Sequence, residues 1–200
     1  MRLSAVLCFL MLWACVLPGQ EYFPPGVLGE TPQEHEFNSH WYSRQLKALH
    51  EPSLWELSQR DPKAEVYRFL WLRSFHHPIS VRLVVRSSGS GWMNSHMTSG
   101  KGGYAPGRIT RYNIFWLTKS KTQSFLAALE SADFWNLPTL LPAKENTVNL
   151  DGAQWILEGA KNGHYRIIDR WSPETPDPVR AIGMLALKLG RFKLRSTDLY

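Results

Sequence analysis

The sequence AQWILEGAKNGHYRIIDRW occupies positions 153–171 and holds two runs of branched and aromatic residues on either side of Asn162-Gly163. Such runs favour β-strands, and an Asn-Gly pair between them is typical of a hairpin turn. We therefore predict that Ala153–Gly159 and Tyr165–Trp171 pair as an antiparallel hairpin.

The register of this hairpin depends on the length of its loop. A two-residue loop would place Ile167 opposite Glu158 and mix polar with apolar groups on both faces. A three-residue loop that ends at Gly163 would place Arg166 opposite Glu158 and leave the other face almost wholly apolar. Because a slip of one residue exchanges the faces of a strand, the apolar pattern favours the three-residue loop. The apolar face would then carry Ala153, Trp155, Leu157, Tyr165, Ile167, Asp169 and Trp171.

Asp169 is the one acid on that predicted apolar face, where an isolated charge costs free energy. We expect its carboxylate to be satisfied structurally, either by a cation or by a backbone turn. A catalytic role is the alternative, for which Asp169 and Glu158 are the candidate acids. The candidate cations are Arg68, Arg73, Arg170 and Arg180.

The remaining pattern predicts an α+β domain. Four further strand-like segments precede the hairpin, and one helix is expected on each side of it, the second capped by Asp177. We predict an antiparallel sheet of about five or six strands with two main helices on one face, plus short N-terminal helices. The four segments are Val66–Arg73, Ile79–Arg86, Gly91–Thr98 and Arg108–Leu117, and the single domain is expected to span 38–195.

The first fifteen residues have the features of a signal peptide. A basic start is followed by an uncharged apolar run, Leu3–Trp13, which is too short to span a bilayer comfortably. The tetrapeptide LWAC at 12–15 resembles a bacterial lipobox, although its tryptophan departs from that pattern, and would make Cys15 a lipidation site. Ordinary cleavage around Gly19 remains the alternative, and 16–37 is predicted to be a flexible tether.

Both cysteines of the chain, Cys8 and Cys15, lie in this leader. The mature domain therefore has no internal disulfide, no cysteine nucleophile and no cysteine-based zinc site. The sequence also lacks an Asn-x-Ser/Thr acceptor for N-glycosylation. Together these features predict a bacterial exported protein, either periplasmic, secreted, or held at the membrane surface only by a lipid.

The formal net charge is +6, and it falls to +5 once the leader with Arg2 is removed. A basic exported protein favours anionic partners, such as an anionic envelope component, and export makes nucleic acid an unexpected partner. Nine tryptophans are many for 200 residues, and we expect most of them to lie in the core.

Several phrases resemble, as a set, a group of exported bacterial proteins over roughly residues 50–190. The resemblance implies a bacterial origin and one continuous domain. No activity is assigned to that group, so it implies no catalytic residues. The phrases are YRFLWLR at 67–73, FHHP at 75–78, DGAQWILEG at 151–159 and DRWSP at 169–173.

The first functional hypothesis is a non-enzymatic envelope protein that binds an envelope component or another envelope protein. Its contacts would come from the glycine-rich loop with Lys101 and Tyr104, from Arg108, and from the turn at His76-His77. Exposed loop residues of this kind are where binding functions usually lie.

The second hypothesis is a hydrolase acting on cell-envelope material. It would combine Asp169 or Glu158 with a histidine, for which His76 and His77 are the candidates, in a concave pocket. The histidines show no recognisable metal-ligand spacing, so we expect no metal site and no cofactor.

Overall fold

The computed structural model describes residues 21–142 and 151–193, together with Arg195 and Asp198. Within these residues, six antiparallel strands, β1 to β6 in chain order, form one sheet in the order β4-β3-β2-β1-β5-β6, accompanied by four helices. The structure confirms the predicted α+β class. The sheet was predicted to have about five or six strands, and the described residues form six. The elements are α1 (Pro32–Ala48), α2 (Leu54–Arg60), β1 (Glu65–Arg73), β2 (Ile79–Val85), β3 (Gly91–Thr98), β4 (Ile109–Leu117), α3 (Lys119–Ser131), β5 (Ala153–Lys161), β6 (His164–Trp171) and α4 (Pro178–Leu189).

The main core lies between one face of the sheet and the helices α3 and α4, as predicted. Trp155 of β5 lies at its centre, with ring centroids 5.4 Å from Phe69 and 5.2 Å from Trp71 of β1. Phe125 of α3 and Ile182 of α4 belong to the same buried cluster. Burial of side chains this large is the dominant favourable term in folding.

A second core covers the opposite face of the sheet. Tyr42 and Leu46 of α1 pack with Leu70 of β1 and Ile156 of β5, all with no measurable exposure. The N-terminal helices are therefore not a peripheral addition. The sheet is sandwiched, and its central strands are buried on both sides.

The segment expected to be a tether differs from that expectation after residue 20. Tyr22, Phe23 and Leu28 are buried in the second core. The helix α1 begins at Pro32, and Thr31 and Glu34 form a capping box at its start. The aromatic side chains explain the difference, because burying them stabilises more than leaving them in a solvated linker. The predicted leader, residues 1–15, lies outside the described residues.

The register of the last hairpin corrects the sequence prediction. Lys161 pairs with His164 and Glu158 with Ile167, so the loop contains only Asn162 and Gly163, both with positive φ. This is the two-residue loop that the apolar pattern disfavoured. The prediction was wrong because it took one face of the hairpin to be exposed to solvent. Both faces of β5 are covered, since Trp155 belongs to the main core and Ile156 to the second core.

Among the described residues, no helix combines the length and apolarity that crossing a membrane requires.

Candidate functional site

The two predicted contact elements lie side by side. The loop between β3 and β4 packs on the turn between β1 and β2, where Gly102 N donates to His76 O at 2.9 Å. A ring nitrogen of His77, Nδ1, lies 2.9 Å from Gly100 O. The glycine-rich loop and the histidine turn therefore form one continuous surface.

Gly102 is where this loop approaches the sheet most closely. A Cβ at this position would lie 2.6 Å from both the backbone nitrogen and the carbonyl oxygen of Arg73. Real Cβ atoms do not come so close to backbone atoms. The glycine is thus explained by packing against the end of β1, and phosphate binding is not needed to account for it.

Helix α1 holds the loop from the other side. The indole Nε1 of Trp41 donates to Gly102 O at 2.8 Å, and Arg44 Nη2 donates to Tyr104 O at 2.7 Å. The amide Nε2 of Gln45 donates to both of those carbonyls at 3.0 Å. These bonds span about sixty residues of sequence and place the tip of the loop against the helix.

Between α1 and the loop lies a cavity of about 600 Å³, which we call the α1 groove. The lining residues of the helix recur at intervals of three and four, so they form one face. The rings of Phe37 and Tyr104 in this groove are exposed, at 68% and 57%. The groove is lined by Gln33, Glu36, Phe37, His40, Trp41, Arg44, Gly103 and Tyr104.

A second aromatic pair extends this surface beyond the groove. The rings of Phe75 and Tyr104 have centroids 6.2 Å apart at an interplanar angle of 31°. The ammonium group of Lys101 lies 5.8 Å from the Phe75 centroid and 5.9 Å from that of Tyr104. A cation placed over the faces of exposed rings contributes about 0.5–1 kcal/mol.

The α1 groove combines ring faces with hydrogen-bonding groups. Because the indole N–H of Trp41 is used by the loop, that residue presents mainly its ring. Glu36 supplies an acceptor, His40 supplies either role, and Arg44 supplies further donors. This arrangement can pack on the apolar side of a ligand and bond to its polar edge.

The binding candidates from the sequence divide between the groove and its surroundings. Tyr104 lines the α1 groove, and Lys101 lies over its ring. Arg108 lies at the base of the loop, where its backbone bonds with Ser99, and it does not line the groove. The contributions of α1 were missed, since its polar positions resemble an ordinary solvated helix face.

Asp169 is satisfied by a tyrosine, which corrects the prediction of an arginine partner. The phenol of Tyr42 donates to Asp169 Oδ2 at 2.6 Å. When the side-chain amide of Gln154 is oriented so that both its nitrogen and its oxygen have partners, the nitrogen donates to Asp169 Oδ1 at 2.8 Å. No arginine among the described residues lies within ion-pair distance of this carboxylate. Burial raises the pKa of Asp169 to about 6, against the lowering effects of Tyr42 and Arg170.

Glu158 belongs to a buried ion pair on the same face of the sheet. Its Oε2 accepts from Arg68 Nε at 2.7 Å, and its Oε1 accepts from the phenol of Tyr165 at 2.8 Å. Burial raises the pKa of Glu158, although Arg68 and Tyr165 act in the opposite direction. Both carboxylate oxygens of Glu158 are therefore engaged in contacts that stabilise the fold.

A third buried carboxylate, Glu51, was not among the sequence candidates. It accepts from Arg82 Nε at 2.6 Å, and its Oε1 lies 3.0 Å from His96 Nδ1. Burial alone would raise the pKa of Glu51, but Arg82, His96 and Arg68 together hold it well below its ordinary value. In the sequence of β2, Arg82 lies between the apolar residues Val81 and Leu83, so it belongs to the opposite face of the strand. A charge at that position was the available sequence signal for a buried partner such as Glu51.

The predicted hydrolase arrangement does not form among the described residues. Neither Asp169 nor Glu158 contacts a histidine among these residues, whereas a third carboxylate, that of Glu51, does contact His96. Both of these side chains have no exposure, so substrate has no access to them. Ser80, the cross-strand neighbour of His96, makes no hydrogen bond to it.

No group of three or more metal-ligating side chains gathers within the described ranges.

No protein-family model matches the chain, and no curated protein matches it, so the α1 groove itself carries the functional argument.

Proposed function

We propose that this chain is a non-enzymatic binding module of the bacterial envelope and that the α1 groove holds its ligand. One observation carries the proposal. Three aromatic side chains, Phe37, Trp41 and Tyr104, line a cavity of about 600 Å³ together with charged and polar groups of α1. Exposed apolar surface of this kind, rimmed by polar residues, marks binding sites.

The chemistry of the groove favours a carbohydrate ligand. A sugar ring has C–H faces that pack on aromatic rings, and its hydroxyl groups both donate and accept hydrogen bonds. The exposed rings of Phe37 and Tyr104 provide the packing surface, while Glu36, His40 and Arg44 provide partners for hydroxyl groups. An envelope glycan therefore fits the groove better than a wholly apolar or a highly charged ligand.

The groove is also preorganised. The backbone carbonyls of Gly102 and Tyr104 are already bonded to α1 before any ligand arrives. Binding then costs little additional ordering of the loop, which favours affinity.

Placement in the envelope rests on the predicted leader. Mass spectrometry of the mature N-terminus, on protein from fractionated cells, tests it. The proposal expects a chain that begins at a lipidated Cys15 or just beyond Gly19. Full-length protein with an intact Met1 in the cytosol would contradict it.

The ligand assignment is tested with a soluble oligosaccharide of N-acetylglucosamine, titrated by calorimetry against wild type, Phe37→Ala and Tyr104→Ala. Each variant is expected to bind about fivefold more weakly, since loss of one stacked ring removes roughly 1 kcal/mol. Leu141→Ala is the control, because Leu141 is an exposed apolar residue that does not line the groove.

Equal affinities for wild type and both groove variants would refute the groove as the site, and a wild-type protein that binds no oligosaccharide would refute the ligand assignment. Cleavage of the oligosaccharide would overturn the non-enzymatic assignment in favour of the hydrolase.

A further inference from the structure

A second cavity lies at the C-terminal end of α4. It measures about 400 Å³, and we call it the α4 cavity. Its apolar lining comes from Met184, Leu187 and Phe192, and its rim carries the cations Lys188, Arg191 and Lys193. All three cationic residues are exposed. A lining that combines three apolar and three cationic residues is an amphipathic arrangement.

The backbone at the end of α4 holds an arginine where glycine is usual. Gly190 caps the helix in a right-handed conformation, and Arg191 follows with φ 59°. The bonds from Arg191 N to Lys188 O and from Phe192 N to Leu187 O complete a Schellman-type end, whose left-handed residue is most often glycine. A non-glycine residue in this conformation is disfavoured.

The position of the glycine has a packing reason. A Cβ on Gly190 would lie 2.9 Å from Val81 Cγ2 of β2, so the glycine permits close approach of the helix end to the sheet. The left-handed position falls one residue later, on Arg191. The arginine therefore occupies a position that is disfavoured for its backbone, and its side chain lines the α4 cavity.

The side chains around this end concentrate positive charge. The Arg191 guanidinium lies 3.9 Å from the Phe115 ring, and that of Arg111 lies 4.1 Å from the Phe192 ring. Arg111 Nη2 donates to Gly190 O at 2.8 Å, so Arg111 serves as a cap for the helix end. Burial and the neighbouring charge of Arg191 lower the pKa of Arg111.

No carboxylate among the described residues forms an ion pair with Lys188, Arg191 or Lys193. The helix C-terminus attracts cations in general, but that effect is worth under about 1 kcal/mol and falls off within one turn. Three cations around one apolar cavity exceed what capping a helix requires. Within the part of the chain that the structure describes, these charges are not neutralised, and this favours an anionic ligand.

We propose that the α4 cavity binds an anionic lipid, a site that is separate from the α1 groove and independent of its ligand. The phosphate group would bind to Arg191, Lys188 and Lys193, and the first carbons of the acyl chain would pack on the partly exposed Met184 and Phe192. A free phosphate ion would leave the apolar lining unused, so the lipid is the better match.

The test uses the soluble lipid dihexanoyl phosphatidylglycerol below its micelle concentration, titrated into the full domain by calorimetry at low salt. Dihexanoyl phosphatidylcholine and inorganic phosphate are the comparison ligands. The anionic lipid is expected to bind at least about tenfold more tightly than either, and its affinity is expected to fall with added salt.

The decisive variant is Arg191→Gly. We expect at least about a fivefold loss of affinity for the anionic lipid, the effect of one basic residue at an anionic lipid surface. The melting temperature should stay within roughly 3 °C of wild type, because glycine suits the left-handed position. Lys63→Gln is the matched control, since it removes one exposed positive charge elsewhere and should leave the affinity unchanged.

If Arg191→Gly proves too unstable to measure, Lys188→Gln/Lys193→Gln replaces it, because both lysines are exposed and neither fixes the backbone. The proposal is overturned if the variants bind the anionic lipid as tightly as wild type. It is also overturned if inorganic phosphate binds as well as the lipid, or if the lipid does not bind at all.

Discussion

The phenol of Tyr42 and the carboxylate of Asp169 are joined by a hydrogen bond of 2.6 Å that links α1 to β6 across 127 residues of sequence. Both side chains are buried, so this bond connects the N-terminal helix to the last strand inside the second core. It also gives Asp169, the acid that the sequence analysis placed on an apolar face, a hydrogen-bond donor for its buried carboxylate.

Removing the phenol should destabilise the protein. We expect Tyr42→Phe to lower the free energy of unfolding by about 1–3 kcal/mol, because it leaves a buried carboxylate with one partner fewer. Urea unfolding followed by tryptophan fluorescence measures this. Tyr104→Phe is the control, since its phenol is on an exposed residue, and a loss of similar size there would contradict the explanation.

The pKa of Asp169 predicts a pH dependence of stability. Because burial raises it from 3.8 to about 6 in the folded state, the folded protein binds a proton that the unfolded chain does not hold between about pH 4 and 6. Stability contributed by this group should therefore rise as the pH falls from above 6 to 4. The expected change is about 3 kcal/mol.

Other carboxylates also titrate in this range, so the measurement is a difference between two proteins. Wild type and Asp169→Asn are unfolded in urea at several pH values from 4 to 7. The asparagine variant should lack this contribution, and parallel stability curves for the two proteins would contradict the raised pKa.

Arg68 should be among the costliest residues to replace. Its side chain is fully buried between Glu158 and Glu51, and Arg68 Nη1 also donates to Pro52 O at 2.6 Å. Arg68→Met would leave the buried carboxylate of Glu158 without its cation and would remove one of the two arginines beside Glu51, and we expect a loss of about 3–5 kcal/mol.

A double-mutant cycle separates the ion pair from side-chain packing. The variant with both Arg68→Met and Glu158→Met should lose less than the sum of the two single changes, since no partner of this pair is left charged. Lys161→Met is the control, because the Lys161–Glu65 pair is partly exposed and should be worth less than about 1 kcal/mol. Additive losses would contradict the coupling.

Gly102 should not tolerate a side chain. Gly102→Ala would place a Cβ against the backbone of Arg73, so the loop must move away from the sheet and disturb its hydrogen bonds to α1. We expect destabilisation of about 1–3 kcal/mol and weakened oligosaccharide binding. Gly26→Ala is the control, because a Cβ there meets nothing within 4 Å and only the cost of its φ of 75° remains. Equal effects at both positions would refute the packing explanation.

Part of this protein could be derived from local sequence signals alone. Alternating and branched residues located the strands, and their short connections indicated an antiparallel sheet, because these preferences act within a few residues. The Asp177 cap of α4 and the exposed loop with Lys101 and Tyr104 were local features of the same kind.

Only the tertiary structure decided the rest. The hairpin took the two-residue loop because helices cover both faces of the sheet, which removed the apolar–polar contrast that would have selected the other register. Asp169 is bonded to Tyr42, and the loop between β3 and β4 is bonded to Trp41 and Arg44, because packing brought together residues far apart in sequence. Contacts at such separations depend on how the layers stack, and no local pattern encodes that.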